Sequence, residues 1–495
     1  MSLINVTNLT FAYPGSYDNI FENVSFQIDT NWKLGFTGRN GRGKTTFLNL
    51  LLGKYEYIGN ISASVNFEYF PFEIKDKSID TIEVINSICI EYQEWEMRKE
   101  LSLLNVAEDV LYRPFQTLSN GEQTKVMLVA LFLKENSFLL IDEPTNHLDI
   151  LGRQTVSNYL KSKTGFILVS HDRYFLDGCV NHILSINKSN IEIERGNFSS
   201  WLINKERRDA FEITKNEKLK KEVKRLKETA KEKAEWSNKA ESRKIGFNPT
   251  KVEKNLSRRA QEGAKSKKAM KRSKALEQRQ ESAIEEKSKL LKNIETSDNL
   301  KLSQLYYHSS LLLTLENIAI KYDDKPICEN ISFSVAKGDR ISLTGKNGCG
   351  KSSILKLICG ENITHTGILR KGNALKISYV SQDTSYLKGN LSDFARQYDI
   401  DESLFKAILR KLDFERVQFD KNIEDFSGGQ KKKVHIAKSL SEKSHLLVWD
   451  EPLNFIDVIS RMQIENLLLD YKPTIIFVEH DKLFCDNVAT KKIKL

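Results

Sequence analysis

The chain has 495 residues, of which 40% are hydrophobic, so it is long enough for two or three domains that each bury a core. Its 76 Lys and Arg exceed its 66 Asp and Glu, giving a net charge of +10, and its six Cys are widely spaced without a C-x-x-C pair. These totals exclude a small disulfide-stapled scaffold, indicate free thiols in a reducing compartment and point to a polyanionic partner.

The first residues, MSLINVTNLTFAY, have neither the basic nor the apolar region of a signal peptide. No apolar run approaches the roughly 18 residues of a membrane span. We therefore expect a soluble, cytoplasmic protein.

A glycine-rich loop lies between an apolar strand pattern (KLGFTG) and a helical pattern (TTFLNLLLG), which is the context that a phosphate-binding loop requires. Backbone N–H groups at a helix start favour negative charge, Lys44 would meet the β- and γ-phosphates, and Thr45 would offer its hydroxyl to Mg²⁺. The nucleotide-binding residues predicted here are Gly38, Asn40, Gly41, Gly43, Lys44, Thr45 and Thr46.

Two further strand patterns of the first half end in polar residues. FLLIDEP places Asp142 and Glu143 at a strand end, where Asp142 can hold Mg²⁺ and Glu143 can orient or deprotonate an attacking water. FILVSHD places His171 where it can donate to a γ-phosphate or position the water. Without the upstream loop, the acids would read as solvated loop residues and the histidine as structural.

A long basic segment follows. Residues 205–295 hold 29 Lys and Arg against 16 Asp and Glu, an excess larger than that of the whole chain. Apolar residues recur there at helical spacing, at Leu219, Val223, Leu226 and Ala230 and again at Leu276, Ala283 and Leu290. The pattern predicts two antiparallel helices that meet along an apolar seam, the first from about Lys205 to Trp236 and about 45 Å long.

Between these helices, residues 236–275 hold 13 Lys and Arg and only three acidic residues, and Gly246, Pro249 and Gly263 interrupt the helical pattern. This basic tip with interspersed aromatic residues favours RNA, although a solvated linker is the alternative. The predicted RNA-binding residues are Trp236, Arg243, Lys244, Phe247, Lys251, Lys254, Arg258, Arg259, Lys267, Lys268, Lys271 and Arg272.

The second half repeats the motifs of the first at an offset of 307 to 309 residues. We therefore predict two similar α/β domains, 1–203 and 310–495, joined by the helical linker 204–309. The repeated nucleotide-binding residues are Gly345, Asn347, Gly348, Gly350, Lys351, Ser352 and Ser353; Ser352 and Asp450 repeat the Mg²⁺ ligands, and Glu451 and His480 repeat the catalytic pair.

LSNGEQ and FSGGQ, with DEPTNHLD and DEPLNFID, resemble the signature and D-loop of ATP-binding cassette proteins. The resemblance covers about four-fifths of the chain and implies tandem P-loop cassettes that hydrolyse ATP with Mg²⁺ at two composite sites. It implies that Ser119 and Gly121 cap the ATP on Lys351, that Ser427 and Gly429 cap the ATP on Lys44, and that Tyr13 and Tyr322 stack on adenine. An exposed loop position is the alternative for each tyrosine.

Two departures from the family pattern stand out. YVSQD in the second half supplies Gln382, a nucleotide and Mg²⁺ ligand of the family, whereas YFPFE in the first half has Phe72 at that place. Because Phe cannot ligate Mg²⁺, we expect the first site to coordinate Mg²⁺ more weakly or to hydrolyse ATP more slowly. Asn120 replaces the usual signature glycine, which adds a side chain and restricts φ.

A fused pair of cassettes with a charged helical linker resembles the ABC-F proteins, and the lack of an additional arm and of a basic C-terminal extension resembles their Lsa-type antibiotic-resistance branch. The resemblance implies a monomer that binds the bacterial 70S ribosome at the tRNA exit site in its ATP-closed form, contacts 23S rRNA and P-site tRNA, and protects against lincosamides, streptogramins A and pleuromutilins. Hydrolysis would then release it. A housekeeping translation factor acting on stalled ribosomes, or the ATPase pair of a drug exporter, are the alternatives.

Overall fold

The computed structural model describes residues 2–15, 19–146, 148–187, 190–245, 305–322, 325–412, 414 and 416–495. The chain divides into two compact units. One comprises Met1–Trp201 and Asp298–Leu495, and the other comprises Leu202–Ser297. All six cysteines are free thiols, as the spacing predicts.

The described part of the first half alternates strands and helices. In chain order these are β1 (Leu3–Phe11), β2 (Phe21–Asp29), β3 (Lys33–Thr37), α1 (Lys44–Leu51), β4 (Ile58–Ser62), β5 (Asn66–Phe70), α2 (Thr81–Ile88), α3 (Glu94–Leu103), α4 (Asn120–Phe132), β6 (Ser137–Asp142), α5 (Ile150–Ser162), β7 (Phe166–Val169), α6 (Arg173–Cys179), β8 (His182–Asn187) and β9 (Asn190–Arg195).

These strands form two sheets. An antiparallel sheet has the order β2-β1-β4, and a six-stranded sheet has the order β5-β6-β7-β3-β8-β9, in which only β8 and β9 pair antiparallel. The central strands β3, β6 and β7 are almost continuously buried, as expected of parallel strands. Because they are neighbours, the phosphate loop, the acidic pair and His171, which follow them, lie at one edge of the sheet.

The second half repeats this arrangement. In chain order its described elements are β10 (Leu311–Tyr322), β11 (Lys325–Ala336), β12 (Arg340–Thr344), α8 (Lys351–Cys359), β13 (His365–Lys371), β14 (Ile377–Val380), α9 (Leu391–Gln397), α10 (Glu402–Lys411), α11 (Gly428–Ser441), β15 (Leu446–Asp450), α12 (Val458–Tyr471), β16 (Ile475–Val478), α13 (Lys482–Val488) and β17 (Lys491–Lys494).

Its sheets have the orders β11-β10-β13 and β14-β15-β16-β12-β17, and the latter sheet is wholly parallel. Apart from β9, which has no counterpart among the described strands, this is the strand order of the first half. The duplication that the motif offset predicts is therefore present in the fold.

Helix α7 (Phe198–Ile245) is longer than the sequence pattern predicts. Its 48 residues would extend about 72 Å at 1.5 Å per residue. The helix begins seven residues before Lys205 because Asn197 Oδ1 accepts a hydrogen bond from the Ser200 N–H at 3.0 Å, which caps the helix, and because Phe198 and Trp201 are buried.

The prediction that the basic tip begins as a loop at Trp236 is wrong for its first ten residues, since the backbone of Trp236, Arg243 and Lys244 is helical. The segment 231–245 is rich in Lys, Glu and Ala and contains no Gly or Pro, so nothing interrupts the helix before Gly246. The rest of the tip, including Phe247, and the second arm with Leu276, Ala283 and Leu290 lie outside the described residues.

Candidate nucleotide sites

Each phosphate loop follows a buried strand and ends in a glycine that precedes a helix. Gly43 has a φ of 92° before α1, and Gly350 has a φ of 89° before α8. A Cβ on Gly43 would lie 2.5 Å from Ile20 Cγ2. Glycine is therefore required there both by the backbone conformation and by the space.

The lysine that follows each of these glycines folds back over its own loop. Lys44 Nζ donates to the Gly38 carbonyl at 2.7 Å, and Lys351 Nζ donates to the Lys346 carbonyl at 2.8 Å. Burial lowers the pKa of Lys44, although nearby carboxylates oppose the shift. Each ammonium group thus lies over its own phosphate loop, just before the start of its helix, an arrangement suited to a polyphosphate.

The two candidate adenine-stacking tyrosines lie beside these helices. Tyr13 Oη is 2.8 Å from Thr46 Oγ1, and Tyr322 Oη donates to Ser353 Oγ at 3.4 Å. Both tyrosines are exposed, at 39% and 45%. Their hydroxyls are anchored to the phosphate-loop helices while the residues remain accessible.

Asp142, at the end of β6, receives two hydrogen bonds on one oxygen. Thr45 Oγ1 donates to Asp142 Oδ2 at 3.2 Å, and Tyr69 Oη donates to the same atom at 3.0 Å. Burial raises the pKa of Asp142 in spite of these bonds. Burial also raises the pKa of Tyr69, and the neighbouring Asp142 carboxylate raises it further. In the second half, burial raises the pKa of Asp450 to about 6, opposed by a hydrogen bond from Ser352.

The glutamates that follow these aspartates adopt left-handed backbone conformations, with φ of 50° at Glu143 and 47° at Glu451. The N–H of each donates to the last residue of the neighbouring strand, at 2.9 and 3.0 Å. His171 Nε2 lies 3.5 Å from Glu143 Oε1, and His480 Nε2 lies 3.4 Å from Glu451 Oε1. The structure thus brings each predicted catalytic glutamate and histidine together.

The electrostatic surroundings of the two glutamates differ. Burial, followed by the charge of Asp142, raises the pKa of Glu143 to about 8. Burial also acts to raise the pKa of Glu451, but the hydrogen bond and charge of His480 and the bond from Asn454 outweigh it, so the pKa is lowered. Burial and the charge of Lys44 lower the pKa of His171 well below its usual value, which keeps it neutral.

The residues at both sites fit a magnesium–nucleotide complex. Hydroxyl and carboxylate oxygens, the ligands that Mg²⁺ prefers, lie next to each phosphate loop. Among the described residues, the buried oxygens Glu143 Oε1 and Asp450 Oδ1 have no hydrogen-bond partner. The described residues contain no group of three or more His, Cys, Asp or Glu that could hold a metal ion.

A cleft of about 900 Å³ opens between the two halves. Its lining includes Ser119, Gly121, Asn347, Gly348, Gly350, Lys351, Ser352, Ser353, Gln382, Glu451 and His480. The first two come from the start of α4, and the others come from the second half. The structure therefore places the first-half motif LSNGEQ opposite the second phosphate loop.

The reciprocal pair of motifs is in direct contact. Asn40 Nδ2, in the first phosphate loop, donates to the Phe455 carbonyl of the second half at 2.8 Å. A Cβ on Gly429 would lie 3.2 Å from the same Asn40 atom and 2.5 Å from the Phe455 oxygen. FSGGQ therefore lies against the first phosphate loop, and this close approach requires glycine at position 429.

The signature serines cap the helices that they begin. Ser119 Oγ accepts from the Glu122 N–H while Glu122 accepts from the Ser119 N–H, and Ser427 forms the same capping box with Gln430. Asn120 does not have a positive φ, so its side chain brings no backbone strain.

A family model described as ABC transporter matches residues 21–146 and 328–454, together just over half of the chain. The chain belongs to the ATP-binding cassette family. The predicted α/β fold with tandem P-loop cassettes is thereby confirmed. None of the described helices of these cassettes is both long and apolar enough to cross a membrane.

Curated relatives match over nearly the whole chain. ATP-binding protein Uup of Buchnera aphidicola subsp. Acyrthosiphon pisum is 29% identical over 99% of this chain and 80% of its own length. Ribosome protection protein VmlR of Bacillus subtilis is 26% identical over 99% of this chain and 86% of its own. Energy-dependent translational throttle protein EttA of Haemophilus influenzae is 26% identical over 95% and 88%.

Among solved structures, the archaeal ribosome recycling factor aABCE1, in complex with the stalk protein aP1, superposes with a TM-score of 0.64. The alignment covers 98% of this chain and 87% of that one at 18% identity. At this identity the likeness concerns the tandem-cassette fold alone.

We did not identify from the sequence the charged residues of the second cassette that act on the nucleotide site of the first. Lys433 pairs with Asp457 at 3.1 Å, and the charge of Asp457 acts on both Lys44 and His171 of the other cassette. Arg461, which binds Asp481 at 3.3 Å, acts in the same way on Glu143. The offset of about 308 residues was a usable signal, because Arg153 and Asp172 form the equivalent pair at 2.8 Å.

Proposed function

We propose that this chain is an ABC-F ATPase of the Lsa type that protects bacterial ribosomes against antibiotics of the peptidyl transferase centre. One observation carries the proposal: a cleft built from both cassettes belongs to a chain whose positive excess is concentrated in the segment that joins them. The names of VmlR and EttA, which tie two full-length relatives to ribosomes and translation, support it.

In the proposed cycle, ATP and Mg²⁺ bind at two composite sites. Lys44 and Lys351 would hold the phosphates, Thr45, Asp142, Ser352, Asp450 and Gln382 would hold Mg²⁺, and the opposite signature would cap each nucleotide. Glu143 and Glu451 would then orient the attacking water. The closed form would bind the 70S ribosome at the tRNA exit site, displace the P-site tRNA and direct the linker tip toward the drug site on 23S rRNA, and hydrolysis would release the protein.

The decisive experiment traps the closed form. A Glu143→Gln/Glu451→Gln double variant is sedimented with 70S ribosomes with and without ATP, and protected rRNA is mapped. We expect ATP-dependent co-sedimentation with protection near the peptidyl transferase centre. A Lys44→Ala/Lys351→Ala variant is the matched control and should not co-sediment. Failure of the double Gln variant to bind ribosomes in ATP would exclude the proposal.

A housekeeping translation factor is the second candidate, because EttA is as similar to this chain as VmlR is. Growth of strains with and without the gene, in the presence and absence of a lincosamide, distinguishes the two. Ribosome protection requires a growth advantage only with the drug. If the protein is a translation factor, loss of the gene should slow growth even in the absence of the lincosamide.

A further inference from the structure

The first nucleotide site contains a hydrogen bond that no sequence motif predicts. Tyr69 Oη donates to Asp142 Oδ2 at 3.0 Å, and Thr45 Oγ1 donates to the same oxygen at 3.2 Å. Asp142 Oδ2 is thereby fixed by two donors, while the other carboxylate oxygen is not part of these bonds. Hydrogen bonds of this kind orient a carboxylate that binds a metal.

The sheet places Tyr69 where it can do this. Tyr69 lies opposite Leu140 in the parallel pairing of β5 with β6, and Asp142 follows Leu140 by two residues. Side chains two residues apart on a strand point to the same face, so Asp142 points to the same face of the sheet as Leu140. Tyr69, which is paired with Leu140, is therefore next to Asp142 on the neighbouring strand. Lys54 Nζ lies 5.4 Å from the centre of the Tyr69 ring, which adds a second contact to hold it.

The second cassette provides an internal comparison. Tyr379 lies opposite Val448 in the pairing of β14 with β15, and Asp450 again follows by two residues. Among the described residues, however, Tyr379 Oη is buried without a hydrogen-bond partner, and Asp450 Oδ1 also has none. The same residue type at the same register therefore donates a hydrogen bond to the aspartate in the first site only, among the described residues.

The sequence difference between the sites lies three residues farther along. Phe72 follows Tyr69, whereas Gln382 follows Tyr379 and lines the cleft of the second site. An amide can orient a metal-bound water or carboxylate, and a phenyl ring cannot. The site with the tyrosine–aspartate bond is the one without the glutamine.

We infer that Tyr69 is a positioning residue of the first nucleotide site, whose hydroxyl holds the Asp142 carboxylate in the orientation for Mg²⁺ and compensates for Phe72. The inference rests on the proposed function, since it requires a magnesium–nucleotide complex at this site. It adds a residue and a difference between the sites: the first depends on a tyrosine hydroxyl for its metal, and the second does not.

The test compares Tyr69→Phe with the matched change Tyr379→Phe. Each change is made in a chain in which the other nucleotide site has been inactivated. Tyr69→Phe is therefore combined with Lys351→Ala, and Tyr379→Phe is combined with Lys44→Ala. The affinity for the fluorescent nucleotide mant-ADP is measured in Mg²⁺ and in EDTA, and the ratio of the two isolates the metal dependence. We expect Tyr69→Phe to lower this ratio by about 10-fold or more with an unchanged affinity in EDTA, and Tyr379→Phe to change it by less than about 2-fold.

The Asp142→Asn change connects the effect to the carboxylate. If Tyr69 acts through Asp142, the two changes together lower the ratio no further than Asp142→Asn alone. The inference is overturned if Tyr69→Phe leaves the ratio unchanged, lowers it no more than Tyr379→Phe does, or weakens binding in EDTA equally. Absence of mant-ADP binding by the unsubstituted chain would instead overturn the nucleotide site itself, and the inference with it.

Discussion

Glu143 and Glu451 occupy equivalent positions in surroundings that favour different protonation states. Burial and Asp142 raise the pKa of Glu143 to about 8, whereas His480 and Asn454 keep the pKa of Glu451 below its usual value. A carboxylate must be ionised to accept a proton from water. Together with Phe72 in place of glutamine, this difference favours the second site in hydrolysis.

We therefore expect Glu451→Gln to remove a larger fraction of the ATPase rate than Glu143→Gln. Phosphate release is measured at saturating ATP and neutral pH for both single variants. Binding of mant-ADP serves as the control, since an isosteric Gln should leave it unchanged. Equal fractional losses would mean that the two sites work at the same rate despite their different residues.

We expect the buried His435 to make the stability of the fold sensitive to acid. It is fully buried in α11, its Nε2 lies 2.7 Å from Tyr386 Oη, and burial lowers its pKa from 6.5 to about 3. Because the folded-state pKa lies below the unfolded value, the neutral ring contributes stability above pH 6.5, and this stability is lost as the pH falls from 6.5 toward 3.

A His435→Gln variant keeps a polar group but cannot titrate. We expect the free energy of unfolding of the unsubstituted protein to fall by about 1 kcal/mol more than that of the variant between pH 7 and pH 5.5. Thermal midpoints at both pH values check this. Parallel shifts of the two midpoints would show that His435 does not contribute to acid sensitivity.

At the scale of elements, helices α6, α12 and α13 join the two cassettes through a buried ion pair. Arg173 and Glu465 are in contact, and Asn487 Nδ2 donates to the other Glu465 oxygen at 2.6 Å. Their side chains are only 10% and 7% exposed. At the equivalent positions of the repeat, Ser157 and Gly178 replace Glu465 and Asn487, so the cluster exists on one side only.

Removing one partner of a buried pair leaves the other charge uncompensated. We expect Glu465→Ala to destabilise the fold by roughly 3–5 kcal/mol. The exposed pair of Lys492 with Asp486 is the control, and Asp486→Ala should cost less than about 1 kcal/mol. Thermal unfolding of both variants checks the difference, and equal midpoints would show that Arg173–Glu465 does not hold the cassettes together.

These elements also show what a sequence can and cannot predict. Thr45, Asp142 and His171 follow from their place after apolar strands in a repeated motif, because chain-local patterns determine which residues reach the edge of a parallel sheet. Tyr69 does not, since a tyrosine in a strand pattern more often packs against the core than holds a functional residue. Arg173 and Glu465 are 292 residues apart, and no local pattern specifies such a pair. The ends of α7 were misjudged because a cap at Asn197 and helix-forming residues up to Ile245 extend it.

At the scale of the whole molecule, the two cassettes are equal in topology and unequal in chemistry. The strand order of the core sheet repeats, but four features each occur in only one of the two cassettes. These are the tyrosine–aspartate bond, the glutamine, the glutamate with a lowered pKa and the acidic partner of the ion pair between the cassettes. Suppose that the two cassettes associate only when both sites bind ATP, and that the second site hydrolyses ATP faster than the first. The rate at which the cassettes separate would then depend mainly on Glu451. The first site would then act as the slower element that keeps the cassettes engaged.

The linker tip offers two separable contributions, because its charges and its apolar residues can be changed independently. We expect Lys251→Gln/Lys254→Gln/Arg258→Gln/Arg259→Gln to weaken ribosome binding and reduce its salt dependence, since phosphate contacts release counterions. A variant with Phe247, Val252 and Leu256 changed to Ser keeps every charge, so it should still co-sediment with ribosomes in ATP but should lose protection against a lincosamide. Sedimentation across a salt series and growth with the drug measure the two effects. Full drug protection by the apolar variant, or by a chain in which residues 245–256 are replaced with a Gly/Ser linker, would contradict a role of this tip at the drug site.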